Sequence, residues 1–268
     1  MRKSLLLLFC VLAATTIFGK VKLSKEEIVL KNDSILAEGN LLYRYEKAAW
    51  VSTDLAMSLK EVKESFGGYL IYQSGDSIKA IILGKDSGTC IYEITYLHDA
   101  TTPFMERLLN RKLSDKEEEL QALKLKIVKE ALTPKYKVTC AEGYSLVIEL
   151  IPCTKGYKLY ILTGTSKQGI IPMGNDYIFI TDDNGDITSW RKFHSVLIPT
   201  KTKIEGEKII EAIHSHLMAE PFITASDICT FKLYGDYYGL KRFKVVSTAL
   251  SKCFTFDADK NTILTEDI

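Results

Sequence analysis

Alternating apolar and polar residues recur along much of the chain and predict short β-strands. Residues 67–97 contain three such runs, separated by turn signals at Gly75-Asp76 and at residues 85–88. From residue 135 to the end the strand pattern dominates, beginning with KYKVTC, YSLVIELI and YKLYILTG. Between two of the later runs, the sequence DDNGD predicts a tight hairpin turn. The C-terminal half is therefore predicted to be rich in β-structure.

Helical periodicity replaces this alternation in two segments of the N-terminal half. Residues 23–58 are mixed in character and predict partial helix. Residues 103–132 predict a longer helix, in which Ser114 and Glu117 have the spacing of a capping box. Pro134 stops this helix, because proline cannot donate the backbone hydrogen bond that a helix interior needs.

Together these elements predict an α+β fold. A chain of 268 residues can form one large domain or two small ones. We expect residues 135–268 to form a mixed sheet flanked by helices, and residues 20–134 to form a smaller α+β region of unknown role. The boundary is predicted near Pro134, and the sequence contains no internal repeat or low-complexity linker.

Residues 1–19 have the features of a signal peptide. Arg2 and Lys3 precede a charge-free run from Leu5 to Phe18, which is long enough for a signal-peptide core and short for a membrane-spanning helix. We therefore expect an exported protein, periplasmic or extracellular, with no stable membrane insertion beyond the signal peptide. An uncleaved N-terminal anchor is the alternative.

Composition narrows the possible partners and the redox chemistry. The formal net charge of +1 and the interspersed acids and bases argue against nucleic-acid binding. Removal of a signal peptide would also remove Cys10 and leave five cysteines, an odd number. At least one of them then stays free or pairs between chains. Their apolar surroundings favour small buried side chains for most of them.

Two histidines one residue apart, with an aspartate downstream, form the clearest candidate for chemistry. If IIEAIHSH is a strand, alternation places His214 and His216 on one face. The segment TASDICTFKLYG predicts a helix with Thr224 as its N-cap, ending at Gly235, with Asp227 in its first turn. Two histidines, one carboxylate and an open position are the ligand set of a catalytic zinc site.

The same residues also fit an ordinary capped helix that follows a strand. Thr224 and Asp227 have the spacing of a capping box, and an acid in the first helical turn is favourable without any metal. Spacing alone therefore leaves both interpretations open.

The stretch HSHLMAEPFITASDI resembles the signature of the JAMM/MPN zinc metallopeptidases. That signature has two histidines around a Ser or Thr, then seven residues, a Ser, two residues and an Asp. His214, Ser215, His216 and Asp227 match it, and Thr224 stands where the family has Ser. The resemblance covers about half of the chain. It implies an MPN-like fold, Zn²⁺ ligated by the two histidines and Asp227, and a Thr224 hydroxyl near the bound water or oxyanion.

Two departures from the family pattern concern the residue after the second histidine and the general base. The family usually has Pro where this chain has Leu217, and it uses a Glu from an upstream strand as general base for the zinc-bound water. The equivalent strand here carries Asp176, which can accept a proton but is one methylene shorter. Glu149 on the previous strand is the alternative. Glu211 faces away from His214 by strand parity.

His194 is predicted to point inward, because it alternates with Trp190, Val196 and Ile198. It is either a core histidine or a residue that supports a metal ligand from behind.

The resemblance implies an exported zinc-dependent metallopeptidase or isopeptidase that acts on a protein or peptide. The absence of the Glu favours an alternative, a catalytically inactive MPN-like binding or scaffold module of the cell envelope. A third interpretation is a structural envelope protein in which the histidines are incidental.

Overall fold

The computed structural model describes residues 23–97, 102–204, 207–216 and 218–268. The helices in these residues are α1 (Lys25–Ser58), α2 (Lys60–Ser65), α3 (Asp115–Ala131) and α4 (Ala225–Tyr238), with a 3₁₀ turn at Pro134–Tyr136. The strands of the N-terminal half are β1 (Phe66–Ser74), β2 (Ser77–Gly84), β3 (Thr89–Tyr96) and β4 (Met105–Lys112). Those of the C-terminal half are β5 (Ser145–Pro152), β6 (Tyr157–Gly164), β7 (Ile170–Gly174), β8 (Tyr177–Thr181), β9 (Ile187–Lys192), β10 (Leu197–Lys201), β11 (Lys203–Ile204), β12 (Glu207–Lys208), β13 (Glu211–His216), β14 (Arg242–Ser247), β15 (Lys252–Asp257) and β16 (Thr262–Asp267).

The strands form three four-stranded sheets. Two sheets are antiparallel, with orders β1-β2-β3-β4 and β5-β6-β8-β9. The third has the order β13-β14-β15-β16 and is mixed, because β13 runs parallel to β14 while the other pairs are antiparallel. The parallel pair needs a crossover, and α4 supplies it. The ribbons β7-β10 and β11-β12 complete the pairing described.

Helix α1 runs through the centre of the molecule. It begins at a capping box formed by Ser24 and Glu27 and packs against α4 and against β1 and β2. A side chain at Gly39 would place a Cβ 2.8 Å from the Cβ of Ile228, so glycine allows the two helices to approach closely. The largest buried apolar cluster joins α1, the first sheet and the β13–β16 sheet. Residues on both sides of Pro134 share this core, and a domain boundary there stays a prediction.

Several sequence predictions are confirmed. The α+β class is correct, and three strands occupy residues 67–97 with turns where Gly75-Asp76 and residues 85–88 predicted them. The DDNGD sequence connects β8 to β9 as a hairpin. Ser114 and Glu117 form a capping box at the start of α3.

Other predictions are wrong in identifiable ways. The predicted helix at 103–132 begins only at Asp115, because residues 105–112 form β4 and pair with β3. The segment KYKVTC is not a strand; it begins in the 3₁₀ turn and continues without regular structure to residue 143. Helix α4 passes through Gly235 and ends at Tyr238, where Gly239 adopts the left-handed conformation of a C-cap. The residues from 135 onward form several sheets rather than one.

The predicted signal peptide and the position of Leu217 lie outside the described residues. Among the described helices, none combines the length and apolar character needed to cross a bilayer.

No pair of the five cysteines in the described residues forms a disulfide. Cys90 and Cys229 are buried, whereas Cys153 and Cys253 are partly exposed and Cys140 is exposed, so the prediction that most of the five are buried is wrong.

Candidate metal centre

Strand β13 presents two imidazoles on one face. Ala212, His214 and His216 point inward, while Ile213 and Ser215 on the opposite face are exposed. The two rings are nearly parallel, with centroids 4.8 Å apart and an interplanar angle of 14°. Sequence alternation predicts this arrangement, because successive side chains of a strand point to opposite faces.

The first turn of α4 presents a carboxylate to the same point. Thr224 is the N-cap, and its side chain accepts a hydrogen bond from the backbone N–H of Asp227 at 3.2 Å. The Asp227 Oδ2 accepts bonds in return from the Thr224 backbone N–H at 2.9 Å and the Thr224 hydroxyl at 2.8 Å. The capping box therefore holds one carboxylate oxygen and leaves the other, Oδ1, facing the histidines.

A third imidazole reaches the site from the connection between β9 and β10. His194 is buried in this connection, behind the turn that joins β7 to β8. In that turn Gly174 has φ 78°, and a Cβ there would lie 2.6 Å from the Val196 carbonyl and 3.1 Å from the His194 Cβ. Glycine is therefore required for the turn to pack closely against the segment that carries His194.

The four side chains converge on one point, and we call His194, His214, His216 and Asp227 the donor cluster. The Nε2 atom of His216 lies 2.8 Å from the Nε2 atoms of both other histidines, which are 3.3 Å from each other. The nearest Asp227 oxygens are 3.4–3.6 Å from the three nitrogens. Ligand atoms about 2.0 Å from a tetrahedral metal are roughly 3.3 Å apart, so these spacings have the size of one coordination sphere.

The partners of the two Nδ1 atoms indicate that a cation lies between the facing Nε2 atoms. The Nδ1 of His216 lies 2.6 Å from the Phe222 carbonyl oxygen, which can only accept, so Nδ1 carries the hydrogen. The Nδ1 of His194 lies 2.6 Å from Asp176 Oδ1 and is likewise the donor. In neutral rings both Nε2 atoms are then lone pairs, and they face each other at 2.8 Å. A metal ion or a proton must lie between them.

Burial strengthens this argument. The side chains of the donor cluster are between 1% and 6% exposed. Asp227 Oδ1 is fully buried and has no hydrogen-bond partner among the described residues. A buried carboxylate oxygen without a partner is strongly unfavourable, and a bound cation removes that penalty. The donor cluster could therefore hold a metal ion.

The electrostatic fields inside the donor cluster are strong. Burial alone would lower the pKa of His194, but Asp176 and Asp227 outweigh it and raise that pKa to about 9. Burial lowers the pKa of His214 to about 4, with a smaller contribution from the neighbouring histidines. Burial would raise the pKa of Asp227, but the three histidines hold it well below its usual range. The Asp227 carboxyl group is therefore ionised at neutral pH.

The structure places the other predicted site residues as follows. Asp176 contacts His194 through Oδ1, and its Oδ2 accepts a hydrogen bond from Ser226, so neither oxygen is free. The Thr224 hydroxyl is directed to Asp227 rather than to an open position. Glu149, the alternative base, lies in a different buried cluster. Glu211 forms ion pairs with Arg242 and Lys244, away from the histidines.

The sequence predicts His194 in the core or in a supporting position, whereas the structure places its Nε2 among the donors. The Asp176 carboxylate instead has the supporting position, behind His194. A carboxylate that orients a histidine in this way is common around metal ligands and raises the basicity of the ring. The signal that could have identified His194 is long-range, because 20 residues separate it from His214.

A cleft of about 360 Å³ lies beside the donor cluster. Its wall includes Phe222 and Thr224, each of which is hydrogen-bonded to a member of the donor cluster. Its rim carries an ion pair between Arg191 and Glu220 at 3.0 Å, and burial raises the pKa of Glu220. Solvent in the cleft therefore reaches Phe222 and Thr224, the residues that hold His216 and Asp227 in place.

Comparison with known proteins adds no assignment: no protein-family model, no curated protein and no solved structure matches this chain.

Proposed function

We propose that this protein binds one zinc ion through the donor cluster and that the ion serves mainly to fix the fold around it. The observation that carries the proposal is the convergence of the Nε2 atoms of His194 and His216, 2.8 Å apart, beside the Oδ1 of Asp227, which has no hydrogen-bond partner among the described residues. Three imidazoles and one carboxylate are ligands that zinc accepts in tetrahedral geometry. The set would leave the ion with one net positive charge.

Coordination by four protein side chains favours a structural role over a catalytic one. Catalytic zinc sites usually combine three protein ligands with one open position, whereas structural sites are closed. The donor cluster draws His194 from the β9–β10 connection, two residues from β13 and Asp227 from α4. An ion bound there would tie these three segments together. This supports the interpretation as an MPN-like binding or scaffold module.

The hydrolytic function stays the second candidate, and the cleft beside the site favours it. Through this cleft, a protein or peptide could reach Phe222 and Thr224, which contact the donor cluster. Asp176, the base predicted from the sequence, is occupied by His194 and Ser226, whereas Glu220 faces the cleft. A hydrolase would in addition need one ligand to leave the site. The relationship to the JAMM/MPN family and the export of the protein remain part of this proposal.

Two measurements on one preparation separate the candidates. Thermal unfolding is followed for the zinc-loaded and the chelator-stripped protein, and hydrolysis of an unstructured protein substrate is followed for both. A structural role predicts a higher Tm with zinc, because a ligand that binds only the folded state stabilises it, and no hydrolysis in either form. Zinc-dependent hydrolysis that is lost in Glu220→Gln, with zinc still bound, would support the hydrolase instead. An unchanged Tm and no bound zinc would reject both.

A further inference from the structure

The three histidines of the donor cluster differ in what holds their second ring nitrogen. The Nδ1 of His194 is held by Asp176, and the Nδ1 of His216 is held by the Phe222 carbonyl, both at 2.6 Å. The Nδ1 of His214 is buried and has no hydrogen-bond partner among the described residues. Metal-bound histidines almost always donate this second N–H, so His214 lacks the support that the other two have.

The surroundings of His214 are also the least constraining. Its ring contacts the Phe243 ring edge-on, with centroids 5.0 Å apart, and this contact has no polar component. It lies on β13, an edge strand of the described sheet, between the exposed residues Ile213 and Ser215. Its side chain is 6% exposed, against 5% for His194 and 1% for both His216 and Asp227. An edge strand opens more easily than a central one.

Departure of His214 would convert the site to a different coordination type. The remaining ligands would be His194, His216 and Asp227, which is two histidines and one carboxylate with an open position. Two neutral imidazoles and one carboxylate leave a divalent ion with one net positive charge. The open position would therefore favour a small anion over a neutral ligand.

We propose that His214 is the exchangeable ligand of the donor cluster, and that the position it vacates accepts a small anionic ligand with an oxygen, nitrogen or sulfur donor. This inference rests on the proposed zinc binding. It adds an entry point for an exogenous ligand at a site that is closed in its resting form.

The test compares three variants in which each imidazole is replaced by a ring without nitrogen. Zinc affinity is measured by competition with a chromophoric chelator for His194→Phe, His214→Phe and His216→Phe. We expect a loss of about 10- to 100-fold for His214→Phe, and a loss of at least about 1,000-fold for the other two, because their Nδ1 partners hold them in place. Far-UV circular dichroism of each zinc-free variant checks the fold, and His214→Gln is the substitute if the Phe ring disturbs it.

A second measurement tests the open position. The protein is loaded with Co²⁺, whose visible absorption reports coordination, and titrated with azide. The His214→Phe variant should respond at azide concentrations at least about 10-fold lower than the unmodified protein, because an open position needs no ligand to leave. An equal loss of zinc affinity in His214→Phe and His216→Phe, or no azide response, would overturn the inference and leave the proposed function standing. A native protein that binds no zinc would overturn both.

Discussion

Two of the buried clusters of ionisable side chains in the described residues balance their charge in different ways. In the donor cluster, four side chains direct nitrogen or oxygen atoms at one point, and the Nε2 atoms of His194 and His216 face each other at 2.8 Å. In the second cluster, which we call the carboxyl pair, Glu46 of α1 meets Glu149 of β5. Both glutamates are at most 2% exposed.

A shared proton and nearby groups of the chain account for the carboxyl pair, although Glu46 Oε2 and Glu149 Oε2, like Asp227 Oδ1, have no other hydrogen-bond partner among the described residues. The Tyr69 hydroxyl donates to Glu149 at 3.3 Å, and the Lys124 ammonium lies 3.8 Å from the same carboxyl group. Burial and the neighbouring carboxyl raise the pKa of Glu46 well above its usual range, and burial also raises the pKa of Glu149. Glu46 is therefore the protonated member and donates to Glu149, whose charge Lys124 balances.

The two clusters show how a buried metal site differs from a buried pair of acids. Like charges in a dry interior are tolerated when one proton is shared, because the pair then carries a single charge. The carboxyl pair has that proton and a lysine. In the donor cluster, bonds on the far side of the ring hold His194 and His216 in place, and Asp227 Oδ1 accepts no hydrogen bond from the described residues. One proton bridges only two of the four side chains, whereas a metal ion can be bound by all four.

The largest expected effect is the loss of metal binding in His216→Ala. His216 has the most buried ring of the three histidines and the shortest contacts to the other two. Its removal should lower zinc affinity by at least about 1,000-fold. Equilibrium dialysis against zinc measures this. The matched control is Ser215→Ala on the exposed face of the same strand, which should bind zinc normally; full zinc occupancy in the histidine variant would argue against the site.

The carboxyl pair should respond strongly to removal of Glu149. The change Glu149→Ala leaves Glu46 without its acceptor and Lys124 without its counter-charge in the interior. The free energy of unfolding should fall by about 3 kcal/mol, the usual effect of breaking a buried charged pair. Urea unfolding measures it, with Glu64→Ala as control, because that side chain is 66% exposed. Zinc binding should be unchanged, and a parallel loss of zinc would show that the two clusters are not independent.

A smaller effect is expected from the carboxylate behind His194. In Asp176→Asn the side chain keeps its size but loses its charge, so the imidazole becomes less basic and less firmly oriented. Zinc affinity should fall by about 10- to 100-fold, with zinc still bound at saturating concentration. Calorimetric titration measures the change. An affinity equal to that of the unmodified protein would contradict the supporting role of Asp176.

The smallest effect, counted per pH unit, concerns the pH dependence of stability. Because the pKa of Glu46 is raised in the folded state, folding retains a proton that the unfolded chain releases above about pH 4.5. Stability from this group is therefore present at low pH and is lost as pH rises toward the raised pKa, by at most about 1.4 kcal/mol per pH unit. In Glu46→Gln the amide replaces the protonated carboxyl, and this part of the slope should disappear. Urea unfolding from pH 5 to pH 8 measures it; an unchanged slope would mean that Glu46 is not the protonated member.

Local rules explain which parts of the site could be predicted from the sequence. The shared face of His214 and His216 follows from strand alternation, and the position of Asp227 follows from the Thr224 cap. Both depend on residues within a few positions of each other. His194 could not be predicted as a donor, because its position depends on how the β9–β10 connection packs against β13. That packing depends on the approach that Gly174 allows, which is a tertiary property.

The fold shows the same division between local and long-range information. Turn signals at Gly75-Asp76 and DDNGD identified hairpins correctly, because loop residues determine the turn type. Strand β4 was missed because its residues are mostly exposed and lack a buried apolar face. It is a strand because β3 offers a hydrogen-bonding edge beside it. The sequence of β4 carries no record of that partner.

The measurement that tests the central claim most directly is the metal content of the purified protein. The protein is purified without chelator, incubated with one equivalent of zinc and desalted. Elemental analysis should then give one zinc per chain. Iron, nickel and copper are counted in the same experiment, because imidazole nitrogens also suit these metals. One zinc per chain, lost in His216→Ala and retained in Glu149→Ala, is the result expected for a metal in the donor cluster and a proton in the carboxyl pair. A protein that holds no transition metal after this treatment would contradict the account.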